Sequence, residues 1–180
     1  MPEFQKHLLV DGWNIIRSEA AMSKAFSELG QDSAKKMLAA RLSPIHDIFG
    51  YRLTIVYDGK GDEISIEKIG QSDTFCEVYT PSSLTADELI EQYCANSKNP
   101  KSITVASRDN LIRLTAMGFK VESITASQLL GWADDAASHA RKKYDAVRKN
   151  ASDEWKKASS PFADIESRIK KSGPKGGAAK

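Results

Sequence analysis

Asp11, Asp58 and Asp109 each stand where a short apolar run ends, and Asp87 stands in what reads as the first turn of a helix. In open α/β sheets, ligands bind in the crevice outside the carboxyl ends of the strands, so acids at strand ends and at a helix start can meet there. Carboxylates gathered in one cleft repel one another, which is tolerated when a cation neutralises them or when some are protonated. A hard cation is the simpler solution. Mg2+ takes oxygen ligands, keeps several waters, and is usually held by one or two carboxylates plus a substrate phosphate. The expected cofactor is Mg2+ or Mn2+, and the chemistry that fits is hydrolysis of a phosphodiester by an ion-oriented water. Taken singly, each Asp also has an ordinary structural explanation, since Asp-Gly after a strand is a common turn and Asp in a first helical turn complements the helix dipole.

To bring the four together, the chain must alternate strands and helices. His7-Leu8-Leu9-Val10 and Arg52-Leu53-Thr54-Ile55-Val56-Tyr57 read as buried strands, stopped by Asp11-Gly12 and Asp58-Gly59 as turn signals. Ser102 to Ser107 repeats the pattern just before Arg108-Asp109, while Ile64 to Ile69, Phe75 to Tyr79 and Lys120 to Ile124 read as shorter strands. Asp32 can cap a helix carrying Leu38, Leu42, Ile45 and Phe49 up to Gly50, and Pro44 is expected to kink or split it. Thr85-Ala86-Asp87-Glu88 and Thr125-Ala126-Ser127-Gln128 are capping boxes opening two further helices, and another, with Leu111, Ile112 and Leu114, ends at Gly118. Gly59-Lys60-Gly61 reads as a loop. This order implies an α/β domain with a mostly parallel sheet and right-handed crossovers.

Charge divides the chain. Residues 1–138 hold 14 Lys/Arg against 19 Asp/Glu, a net −5, whereas residues 139–180 hold 12 against 5, a net +7. The expected organisation is one domain over 1–138 and a basic extension over 139–180, and such asymmetry points to a nucleic-acid-binding or membrane-surface arm, or to a solvated tail. The extension reads as a helix to about Lys149, a polar linker, a short helix begun by Ser160-Pro161, and a disordered end at residues 172–177. An apolar fraction of 41% and a charged fraction of 28% are ordinary for a globular protein. No run reaches the roughly 18 apolar residues of a spanning helix and no signal peptide is evident, so the expected location is the cytoplasm, with no membrane partner. Cys76 and Cys94 are expected to be buried small hydrophobes.

The ordered set of strand-Asp11-Gly12-Trp13-Asn14, strand-Asp58-Gly59, Thr85-Ala86-Asp87-Glu88 and strand-Ser107-Arg108-Asp109 resembles the NYN domain, most closely its YacP-like branch, over roughly residues 6–135. Trp13 replaces the family's usual Tyr, and Arg108 separates Ser107 from Asp109 with the spacing of other NYN and PIN-type domains. The resemblance implies a PIN-like, three-layer fold and a divalent-metal-dependent endoribonuclease. It further implies that Asp11, Asp58, Asp87 and Asp109 are the catalytic and metal-site acids and that Asn14 is their polar partner, while Ser107 is placed to orient Asp109 or a water. Arg17 and Arg108 flank two of the motifs and are candidates for phosphate contact, against ordinary surface ion pairing. Trp13 can stack on a base, but between Gly12 and an apolar segment it reads as core.

Other chemistries find less support. His7, His46 and His139 are scattered without zinc-site spacing, and no nucleophile elbow, Walker loop or dinucleotide fingerprint occurs. A phosphotransferase with Asp11 as nucleophile usually has a second Asp two residues on, where Trp13 stands. Asp134 and Asp135, adjacent on a helix, face different directions and read as solvated. Two functions therefore remain: an endoribonuclease whose targets include mRNA or rRNA at the ribosome, and an RNA- or ribosome-binding module that docks through its basic tail and cleaves little.

Overall fold

The computed structural model describes residues 6–171, with side chains described through residue 152 and at 154. Six strands form one sheet: β1 (His7–Asp11), β2 (Arg52–Gly61), β3 (Ser65–Lys68), β4 (Phe75–Pro81), β5 (Ile103–Ala106) and β6 (Glu122–Ile124), in the order β3-β4-β2-β1-β5-β6. Every pairing is parallel except the β3–β4 edge. The fully buried runs Leu8-Leu9-Val10 and Leu53-Thr54-Ile55-Val56-Tyr57 suit central parallel strands, which are covered on both faces.

Side chains alternate between the two faces. On one, Leu8, Val10, Leu53, Ile55, Tyr57 and Phe75 pack against α1 (Gly12–Ser18), α2 (Ala20–Leu29), α3 (Gln31–Phe49) and the first turns of α6, a helix spanning Ala126–Lys171. On the other, Leu9, Val56, Ile103 and Val105 meet α4 (Ala86–Ala95) and α5 (Asn110–Gly118) through Ile90, Cys94, Ile112 and Ala116. The result is the expected three-layer, PIN-like α/β architecture. The chain divides into a compact unit through His139 and a second unit from Ala140 onward.

Several local expectations are corrected. Asp11-Gly12 does not close a turn: Asp11 is the N-cap of α1, and α1 and α2 occupy a stretch in which no helix was expected. Helix α3 starts from Gly30 rather than Asp32 and runs unbroken through Pro44, because Leu38, Leu42 and Ile45 hold both halves against the sheet. Gly59-Lys60-Gly61 is not a loop but the irregular end of β2, tied to β4 where the Gly59 amide donates to Thr80 Oγ1 at 3.2 Å and Gly61 pairs with Pro81. The tail has no linker after Lys149 and no new start at Pro161, since α6 continues to Lys171. The disordered end expected at residues 172–177 lies outside the described residues. Asp134 is not merely solvated, as it accepts from Arg41 at 2.9 Å.

Both cysteines are buried free thiols, and Trp13 is core, 9% exposed, against Phe26 and Tyr57. No helix among the described residues is long and apolar enough to cross a membrane.

Candidate active site

Parallel pairing aligns the ends of β1, β2 and β5. Asp11 is opposite Val56, so Asp58, two residues further along β2, lies on the same face of the sheet as Asp11, the face covered by α4 and α5. Asp58 reaches across to α4, where its Oδ1 accepts the Ala86 amide at 2.8 Å and so fixes the start of the helix beside the end of β2. The Thr85–Glu88 capping box holds the same turn from the other side, and Asp87 sits between these anchors.

Asp11 is the buried member of the set, 2% exposed. Its carboxylate accepts from the Asn14 amide at 3.3 Å, from the Asn14 side chain, and from Ser107 Oγ at 3.0 Å. Ser107, fully buried after β5, also accepts the Asp109 amide at 3.0 Å, so one hydroxyl links two of the acids. Asp109 caps α5 by accepting from Leu111 at 2.7 Å. Arg113 then fixes the turn, its Nη1 donating to the carbonyls of Ser107 and Arg108 at 3.0 Å each.

The four carboxyls lie close enough to act on one another electrostatically. Burial, then the negative charges of Asp11, Asp109, Asp58 and Glu91, pushes the Asp87 carboxyl up to about 6. Asp11 is also raised, by burial first and by Asp58 in smaller measure, against the lowering effect of hydrogen bonds from Asn14 and Ser107. Among the described residues Asp87 accepts no hydrogen bond and forms no ion pair, and no three His, Cys, Asp or Glu side chains make a closed ligand cluster. Its carboxyl is thus raised by burial and then by like charge, and no cationic group of the described residues pairs with it. An all-oxygen donor set at charge-interaction distance rather than ligand distance fits a hard cation held by one or two carboxylates and, for the rest, by water.

The structure brings together Asp11, Asp58, Asp87, Asp109, Asn14 and Ser107. Arg108 lies at the same end of the sheet, exposed in the β5–α5 turn, whereas Arg17 is exposed in the last turn of α1 and touches none of the acids. Sequence reasoning missed Arg113, for which the one available signal was an Arg four residues after a helix-capping Asp. It also missed Glu91, one helical turn beyond Asp87.

A model of the YacP-like NYN domain matches residues 8–169. The chain belongs to the YacP-like NYN family. This is a PIN-like nuclease family, and the match runs beyond residue 135 through most of the basic helix, so the extension is part of the YacP-like pattern. Two solved structures of Rae1 (YacP) from Bacillus subtilis share the fold. One has a TM-score of 0.67 at 20% identity, covering 97% of this chain and 99% of that one. The other, a single-substitution mutant, has a TM-score of 0.66 at 19% identity, covering 80% and 84%. No curated protein sequence matches the chain.

Packing leaves no room for a side chain at Gly12, the residue after Asp11. A Cβ there would lie 2.1 Å from Cε1 of Tyr57, a fully buried ring already packed on Trp13 and Tyr79. Gly12→Ala is expected to cost about 1–3 kcal/mol by overpacking and to displace Asp11. Urea unfolding of the two proteins measures the cost, and an unchanged midpoint would show that Tyr57 yields freely.

Proposed function

We propose that this protein is a divalent-metal-dependent endoribonuclease that hydrolyses RNA phosphodiesters, and that Asp11, Asp58, Asp87 and Asp109 form its catalytic site. The observation that carries the reading is Asp87, a carboxyl raised to about 6 by burial and by the three other acids in a member of a nuclease family. Asp11 and Asp58 would hold Mg2+ or Mn2+, with Asp87 completing the site and Asp109 supporting it. When bound, such an ion lowers the pKa of a water and stabilises the attacking and leaving oxygens. Asn14 and Ser107 keep the Asp11 carboxylate in one orientation. Asp58 sets the position of Asp87 through the Ala86 amide, and Arg108 is the exposed cation placed to meet a phosphate. The expected compartment is the cytoplasm, where mRNA and rRNA, including that of the ribosome, are candidate targets.

The direct test is incubation of the purified chain with total cellular RNA and Mg2+ or Mn2+, followed by mapping of fragment ends. Internal cuts that vanish with chelator are expected. If the folded protein with metal makes no cuts, the reading fails.

A second reading, an RNA- or ribosome-binding module with little cleavage, is favoured by the +7 of residues 139–180. Both readings give that segment the role of a docking arm. Deleting residues 140–180 is expected to weaken RNA binding and to flatten its salt dependence, because every phosphate that the arm no longer neutralises takes about 0.7–0.9 off the log–log slope. Titrations at several salt concentrations measure it, and an unchanged slope would remove the arm from recognition.

A further inference from the structure

The face of the sheet that carries the acids is only partly covered. Helix α4 packs against β1, β2 and β4, and a cavity of about 260 Å³ opens between α4 and the edge strand β3. Leu9, Val56 and Val78 form its floor, Leu89 and Ile90 one wall, and Ile64 and Ile66 the other. Ile66 is 66% exposed and Ile64 49%, so the outer wall is apolar surface left in water.

The end of the cavity away from the acids is different. There His7 donates to or accepts from Tyr93 Oη and Thr54 Oγ1, each at 2.9 Å, which leaves the polar floor internally satisfied. Burial and the nearby Arg52 lower the His7 pKa to about 4, so this floor carries no charge at neutral pH. Arg52 and Lys68 stand at the rim with Asp73, which pairs with Lys68. Arg52 forms no ion pair among the described residues and is exposed, so one positive charge at this end is uncompensated.

We propose that this cavity is a binding site for a short amphipathic monoanion, an aliphatic chain ending in a carboxylate, with the carboxylate on Arg52 and the chain along Val56, Val78, Ile66 and Leu89. Each part of the ligand answers a feature of the cavity. Ile64, Ile66, Val78 and Leu89 are branched aliphatics, and the two rings in the lining, His7 and Tyr93, are packed edge-to-face on each other rather than set as a stacking pair for a nucleobase. The volume lies just under the roughly 300–1,000 Å³ usual for small-ligand pockets, which calls for a short chain. A single uncompensated guanidinium matches a monoanion better than a doubly charged phosphate, and its planar fork suits a carboxylate. The site is separate from the acids and does not depend on nuclease activity.

Octanoate titrated calorimetrically into the full chain is the probe, with octanol as its uncharged counterpart. Octanoate is expected to bind with a Kd of about 0.1–1 mM, and octanol about 10-fold more weakly, since hydrogen bonds to charged groups are the stronger ones. Arg52→Gln should weaken octanoate about 10-fold and leave octanol unchanged. Val78→Trp fills the cavity and should abolish binding of both, while Ile66→Glu, at an exposed position that leaves the core intact, should weaken octanoate more than octanol. Circular dichroism checks that each variant is folded. Absence of octanoate binding to the folded wild type, equal binding of octanol, or indifference of octanoate to both Arg52→Gln and Ile66→Glu would overturn the proposal.

Discussion

Asp11→Asn is expected to reduce metal-dependent RNA cleavage by more than about 100-fold while leaving the fold intact. The size follows from the position of the carboxylate. Changes to groups that merely orient a metal ligand cost about 10–100-fold, so loss of a buried carboxylate held by Asn14 and Ser107 should exceed that range. The fold survives because both side-chain donors, from Asn14 and Ser107, converge on the same oxygen, Oδ2, and an amide oxygen placed there still accepts from both. The replaced oxygen is Oδ1, which accepts the Asn14 amide at 3.3 Å as the α1 cap. Loss of that cap costs about 1 kcal/mol, and removing a buried charge repelled by Asp58 offsets part of it. Urea unfolding and cleavage rates on one preparation separate the two effects. Wild-type cleavage by the variant would show that the proposed site is wrong.

Much of this site was legible because its acids are reported by local patterns. A buried parallel strand is a continuous apolar run, so Leu8-Leu9-Val10-Asp11 and Ile55-Val56-Tyr57-Asp58 mark both the strand and the acid where its buried run stops. The capping box at Thr85 likewise marks the turn that carries Asp87. The hydrogen bonds that join these pieces were not legible, because they link residues far apart in the chain. Asp58 meets Ala86 across 28 positions and Ser107 meets Asp11 across 96, and neither leaves a local trace.

The misread elements have local causes. Gly12 opposed a helix at α1, yet it is required there by the Tyr57 ring. Pro44 and Pro161 argued for interruptions where helices continue. At Pro44, the burial of Leu38, Leu42 and Ile45 outweighs the local penalty. The residue that neighbours one acid, whether Gly12 or Ala86, serves the packing and the site at once, so sequence signals for structure and for chemistry coincide there.

That coincidence makes Asp87→Asn a test in which stability and metal binding move in opposite directions. In the folded chain the Asp87 carboxyl is raised from 3.8 to about 6, so its ionised form is disfavoured relative to the unfolded chain. Below about pH 3 the group is protonated in both states and costs nothing. As the pH rises through 4 to 6 the unfolded state ionises first, stability falls, and above 6 the loss is complete. Without metal, Asp87→Asn should therefore be more stable than wild type at pH 7.5, by about 1 kcal/mol after allowance for solvent screening, and no more stable at about pH 3. Mn2+ should reverse the order. At a hundred times its Kd, a bound ion stabilises wild type by about 2.7 kcal/mol, roughly 5–10 °C in Tm for a domain of this size, and the variant, lacking one of the repelling carboxylates that the ion neutralises, should gain much less. Thermal melts at the two pH values, with Mn2+ and with chelator, measure all four quantities. A variant less stable than wild type in chelator at pH 7.5, together with an undiminished Mn2+ shift, would place Asp87 in the scaffold of α4 and outside the metal site.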